Sequence, residues 1–162
     1  MMQKGIVDRL FIQETIKSLN LFHDKIIDHS GGLRGTRDEG GLYNSITKIL
    51  IYQEKHSKDP SLVGTYVYEE LARRHHFNAG NKRTAHAFAK IVLFLMGFHL
   101  TVAYKDAVPF IIEIAKYGSK VTSNEIKEWI KAHLNELPHK NLETYLNETV
   151  LDIKDGYQKQ VN

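Results

Sequence analysis

Cysteine is missing from all 162 residues of the chain. Its absence excludes disulfides and thiolate metal sites, and it removes the usual indicator of redox compartment. Long hydrophobic runs are missing too. The longest, Ile91 to Phe98, falls far short of the ~20 residues that a membrane-spanning helix needs. The first residues, Met1-Met2-Gln3-Lys4-Gly5, lack the apolar block of a signal peptide, so a cytoplasmic protein with no membrane contact is expected. Strong charge of one sign is also lacking. A net charge of +3 allows attraction to polyanions without the clustered basic footprint of a nucleic-acid binder, and no direct nucleic-acid binding is expected. The sequence contains no internal repeat and no low-complexity segment.

The pattern that remains is helical, which predicts an all-α bundle. Leu10, Phe11, Ile16, Leu19, Phe22 and Ile26 fall at helical spacing and stop at Ser30-Gly31-Gly32. A polar, glycine-rich connection, Gly31 to Gly41, precedes a second amphipathic segment with Leu42, Ile46, Ile49 and Leu50. Ser61 is placed to cap a third helix running to Arg74. Its Glu69–Arg73 and Glu70–Arg74 pairs stand four apart and read as ion pairs on an exposed face. From about Lys82 to Met96 the chain is apolar nearly all round, as a buried central helix is. Arg83, His86 and Lys90 form its one polar stripe. Gly97 then ends the helix, and Leu100 to Tyr104 reads as a short extended piece. Asp106 is placed to cap a helix to Tyr117, and Thr122-Ser123-Asn124-Glu125 fits a capping box opening a helix with Ile126, Trp129, Ile130 and Leu134 on one face. The chain divides into a main domain, residues 1–134, and a C-terminal helical appendage, residues 135–162.

One run carries chemistry: His75-His76-Phe77-Asn78-Ala79-Gly80-Asn81-Lys82-Arg83-Thr84-Ala85. It is a loop feeding the N-terminus of the most buried helix, where free backbone N–H groups and the positive end of the helix dipole favour an anion. Gly80 lets the backbone approach a ligand closely. Asn81 is suited to cap the helix and orient a phosphate oxygen. Lys82 and Arg83 add two cations, Arg83 with a bidentate fork. His75 carries an imidazole, which can accept a proton from an attacking hydroxyl. Adjacent His75 and His76, even with His86, cannot converge on one ion from a regular helix, so no zinc site is expected.

This run resembles the active-site motif of the Fic superfamily, and the form Asn81-Lys82-Arg83-Thr84-Ala85 is similar to its Doc (death-on-curing) branch. His23-Asp24 and Gly31-Gly32-Leu33-Arg34-Gly35-Thr36-Arg37-Asp38 resemble that branch's N-terminal segment. The resemblance implies a compact Fic-type helical bundle around the central helix. It further implies a toxin kinase that moves the gamma-phosphate of ATP to a Thr or Ser hydroxyl of a translation protein such as elongation factor Tu, with an antitoxin as a second partner. His75 would be the general base; Gly80, Asn81, Lys82 and Arg83 would hold the phosphates. Residues Ile51 to Gly64 correspond to the flap that aligns the target chain. Most Fic relatives have Gly where Lys82 stands and transfer AMP instead, which is the alternative enzyme.

Two positions depart from the family pattern. Where Ala79 stands, the family carries an Asp or Glu that binds Mg²⁺; alanine offers no oxygen to that cation. The departure implies an impaired site or another oxygen for the metal, and it motivates a third reading, a non-catalytic member that binds nucleotide or a partner. His86 replaces a second arginine of AMP-transferring relatives, as in the Doc branch. In the tail, Thr144-Tyr145-Leu146-Asn147-Glu148 loosely resembles the inhibitory helix of self-regulated relatives. Packing or a homodimer contact is the other role expected of it.

Overall fold

A computed structural model describes the backbone of residues 7–161 and the side chains of residues 7–158. Met1 to Gly5, read above for a signal segment, lie outside the described residues. The first helix, α1 (Arg9–Ser30), starts at Asp8, whose carboxylate accepts the Phe11 N–H, and turns Leu19, Phe22, Ile26 and Ile27 inward. Leu10 and Phe11 do not share that face; they are 66% and 42% exposed. The connection closes sooner than expected. Asp38 accepts the Gly41 N–H and opens α2 (Glu39–Lys55). A four-residue link, His56 to Asp59, leads to α3 (Pro60–Ala72). The cap of α3 is Asp59 rather than Ser61: its carboxylate accepts the Leu62 N–H and the Ser61 hydroxyl, and Pro60 takes the first helical position, where its missing N–H costs nothing. Residues 51–64, matched above to a flap, are therefore a helix end, a turn and a helix start.

The central helix, α4 (Asn81–Leu95), is as expected, with Ala85, Ala87, Ala89 and Leu93 fully buried. After Gly97 the extended piece lies earlier than the sequence suggested. It is β1 (Phe98–Leu100), and Tyr104 already belongs to α5 (Tyr104–Ala115). Asp106 sits in the first turn of α5 without capping it; the Tyr104 N–H is satisfied by the Asp152 carboxylate at 2.9 Å, from a distant helix. The capping box is present. Thr122 and Glu125 exchange bonds at the start of α6 (Ser123–His133), which buries Ile126 and Ile130. Leu134 leaves that helix for β2 (Leu134–Glu136), whose pairing with β1 is antiparallel, Leu100 opposite Leu134. A three-residue strand has too short a pattern to be read as one, and only its partner makes it a strand.

The final helix, α7 (Leu142–Val161), is longer than the Leu142 to Ile153 stretch expected. It lays Val150 and Ile153 into the same apolar core as α1, α3 and α4. Seven helices and one two-stranded sheet among the described residues make the fold mainly all-α, built around α4. Among the described residues no helix is long and apolar enough to cross a membrane.

The Glu–Arg pairs of α3 form, yet not on an open face. Glu70 is buried and accepts the Ser45 hydroxyl at 2.8 Å as well as pairing with Arg74. Arg73 donates to the carbonyls of Ile114 and Val121, tying α3 to the end of α5 and the loop after it.

Candidate anion-binding site at the start of α4

The loop before α4 owes its shape to contacts inside and outside the motif. Gly80 is the N-cap, at φ 76° and ψ 23°, a left-handed conformation that side chains disfavour. A Cβ there would stand 3.0 Å from Ile27 Cδ1. Asn81 does not cap α4. Its Oδ1 accepts the Phe77 N–H and its Nδ2 donates to the Phe77 carbonyl, both at 3.0 Å, so its amide cross-links the two ends of the loop. That clamp uses both polar atoms that a phosphate would otherwise meet. The N-cap has no side-chain partner, so the first backbone N–H groups of this 15-residue helix are left to water or to an anion.

The glycine-rich segment after α1 forms the second wall. The amides of Arg37 and Asp38 donate to the His76 carbonyl at 2.7 and 3.0 Å, Asn78 N–H donates to the Gly35 carbonyl, and Thr36 bridges Phe77 in antiparallel fashion. Gly32 approaches the loop closely: a Cβ there would lie 3.0 Å from Ala79 Cβ and 3.3 Å from Arg83 Nη2.

The two cations differ. Lys82 is half-buried, on the first turn of α4. Arg83 is buried; its Nη1 donates to Ser30 Oγ at 2.5 Å and to the Gly31 carbonyl at 2.8 Å, and its guanidinium lies 3.9 Å from the centre of the Tyr157 ring on α7. Burial presses its pKa below the ordinary value. Arg83 is thus first a brace between α4, the C-terminus of α1 and α7, with Nη2 directed toward Gly32 and Gly80. His75 is exposed at the mouth of the loop.

Behind the loop lie two buried histidines. His23 on α1 stacks on Phe77, ring centres 4.1 Å apart, and its Nε2 is 2.7 Å from the Ala79 carbonyl. His76 Nε2 is 2.8 Å from Ser45 Oγ, and its Nδ1 is 3.9 Å from Asp38. Burial lowers both pKa values against the opposing pull of Asp24 and Asp38. Sequence reasoning gave neither residue a structural role. The available signal was His23 sitting on the apolar face of α1, between Leu19 and Ile26.

The rest of the polar stripe serves packing. His86 Nδ1 and the Tyr68 hydroxyl share a hydrogen bond of 2.7 Å, and the Lys90 ammonium is 5.4 Å from the centre of the Tyr145 ring of α7. Glu148, in the stretch that loosely resembles an inhibitory helix, pairs with Lys140. The Ala79 side chain offers no oxygen, and among the described residues no group of three or more His, Cys, Asp or Glu converges as a metal site. Together these features can hold an oxyanion on backbone N–H groups, Lys82 and the free edge of Arg83, with an imidazole at the entrance.

In comparisons with known proteins, no family model matches the chain. No curated protein matches it either.

Proposed function

We propose that the chain binds the phosphates of ATP at the start of α4 and belongs to the Doc-like phosphotransferases it resembles. One observation carries the reading: a left-handed Gly80 opens a buried helix whose first amides have no side-chain cap, with Lys82 and Arg83 on that same first turn. In the proposed reaction the oxygen of a target Thr or Ser hydroxyl attacks the gamma-phosphorus. The bond to the beta–gamma bridging oxygen breaks, ADP leaves, and His75 takes the hydroxyl proton. Lys82 and the loop amides offset the charge that develops on the transferred group. No step is assigned to a protein-bound metal. Elongation factor Tu as the acceptor, a small antitoxin as a partner and a cytoplasmic location rest on the resemblance and on the expectations above.

A second reading is favoured by Ala79 together with the bracing of Arg83 by Ser30, Gly31 and Tyr157. On it, the chain binds nucleotide without turning it over.

The test incubates the chain and its Ala79→Asp variant with Mg-ATP and cell lysate, using gamma-labelled and alpha-labelled nucleotide in parallel. Gamma label on one protein, mainly with the variant, is the expected outcome. Alpha label would replace the kinase by an AMP transferase. ATP binding without transfer by either version would leave the second reading.

A further inference from the structure

We infer that His23, a buried residue of α1 outside the motif, is a positioning residue that aims the anion-binding amides of the loop. The inference rests on the phosphate-binding reading above.

The argument starts from one peptide unit. In a trans peptide the C=O and the following N–H point in opposite directions, and no cis peptide bond occurs among the described residues. The Ala79 carbonyl is held inward by His23 Nε2 at 2.7 Å. A carbonyl oxygen only accepts, so Nε2 must carry the proton. With its oxygen anchored inward, the same peptide turns the Gly80 N–H outward, away from α1 and alongside the uncapped amides of α4. The left-handed φ of Gly80 then lets the chain enter the helix directly from that orientation.

The surroundings of the ring suit it to this task. His23 is 1% exposed, so it cannot touch a ligand itself. Its face stacks on Phe77 with the planes 12° apart, which fixes the ring's tilt. Asp24 stands 4.0 Å from Nδ1, close enough to bias the ring electrostatically but beyond hydrogen-bond range. Gly80 is also close to the ring; a Cβ there would lie 3.5 Å from Nε2. The imidazole therefore specifies the direction of the Ala79–Gly80 peptide, whereas the Asn81 clamp specifies only the width of the loop.

A merely structural histidine and a positioning one differ in what rescues them. His23→Phe keeps an aromatic ring on Phe77 and removes the donor. His23→Gln keeps an N–H donor near the place of Nε2 and removes the stack. The experiment measures ATP and adenosine affinity by calorimetry for the chain and both variants. It also follows the Gly80 amide resonance during titration with pyrophosphate.

If the inference holds, pyrophosphate shifts the Gly80 amide in the parent chain, and His23→Phe weakens ATP about tenfold, the scale of one lost hydrogen bond. His23→Gln recovers most of that loss, and the variants bind adenosine no differently from the parent chain. Unchanged ATP affinity in His23→Phe would overturn the inference. So would equal losses in Phe and Gln variants that melt like the parent chain. ATP binding with a Gly80 amide that ignores pyrophosphate would overturn it while leaving the proposed function standing. A parent chain that binds neither ATP nor pyrophosphate would remove both.

Discussion

The Ser45 hydroxyl has one proton and two neighbours at 2.8 Å, Glu70 Oε2 and His76 Nε2. Ser45 donates to the carboxylate, so His76 must donate from Nε2 to the serine oxygen, which leaves Nδ1 without its proton in the neutral ring. A serine, a histidine and an acid at these distances look like a nucleophile with its base. Ser45 and His76 are 1% and 5% exposed, however, and the serine hydroxyl is committed as donor to Glu70, so the trio is a brace behind the motif loop. Ser45→Ala leaves two buried polar groups with a partner removed and is expected to cost about 1–3 kcal/mol of stability, read from chemical denaturation. A cost near zero would mean that Glu70 and His76 find each other without the serine. The residue scale is also where the sequence was hardest to read. His75, Gly80, Lys82 and Arg83 stand out because their types suit an anion. What Arg83 does depends on Ser30, Gly31 and Tyr157, which no local pattern connects to it. Asn81 misled for the same reason: a residue fit to cap a helix finds a closer use at Phe77.

Among the elements, helices with an apolar stripe and a local cap were legible, and those completed by a distant residue were not. The capping box at Thr122 and Glu125 lies within four residues, and the sequence reveals it. The start of α5 is satisfied by Asp152, 48 residues away along the chain, so no window of sequence could show it. Asp152→Ala is expected to cost about 1 kcal/mol, the usual worth of a cap, as a lower denaturant midpoint with unchanged slope. Asp152→Asn keeps an acceptor and should retain most of that stability. An Ala variant as stable as the parent would show that water serves the Tyr104 amide equally well. The same helix, α7, puts Tyr157 on Arg83, Tyr145 beside Lys90, and Val150 and Ile153 in the core. Truncation after Leu137, the simplest probe of an inhibitory tail, would therefore remove part of the core. Loss of activity in such a truncation would speak of folding and not of regulation.

Over the whole molecule, four imidazoles act together. His23, His76, His86 and His99 all have pKa values lowered from 6.5, in each case chiefly by burial, and His86 falls to about 3. The sign follows directly. Below pH 6.5 the unfolded chain takes up protons that the folded chain refuses, so stability is full above that pH and falls as the pH drops, down to about 3 for His86. Urea midpoints should decline from pH 7.5 to pH 5, with a shallower decline in His86→Phe, which removes one of the four groups; equal slopes would remove His86 from the account. The all-α class and the central place of α4 were legible because hydrophobic periodicity is a property of the chain itself. The joining of Gly31–Asp38 to the motif loop depends on which segments meet. That joining sets an order of assembly. Thr36 and Phe77 belong to parts of the chain separated by the whole of α2 and α3, and long-range pairings come late because their loops must close first. The helices can therefore be formed while the candidate site is still open, and a nascent chain of this protein would gain its shape before the two walls of that site met.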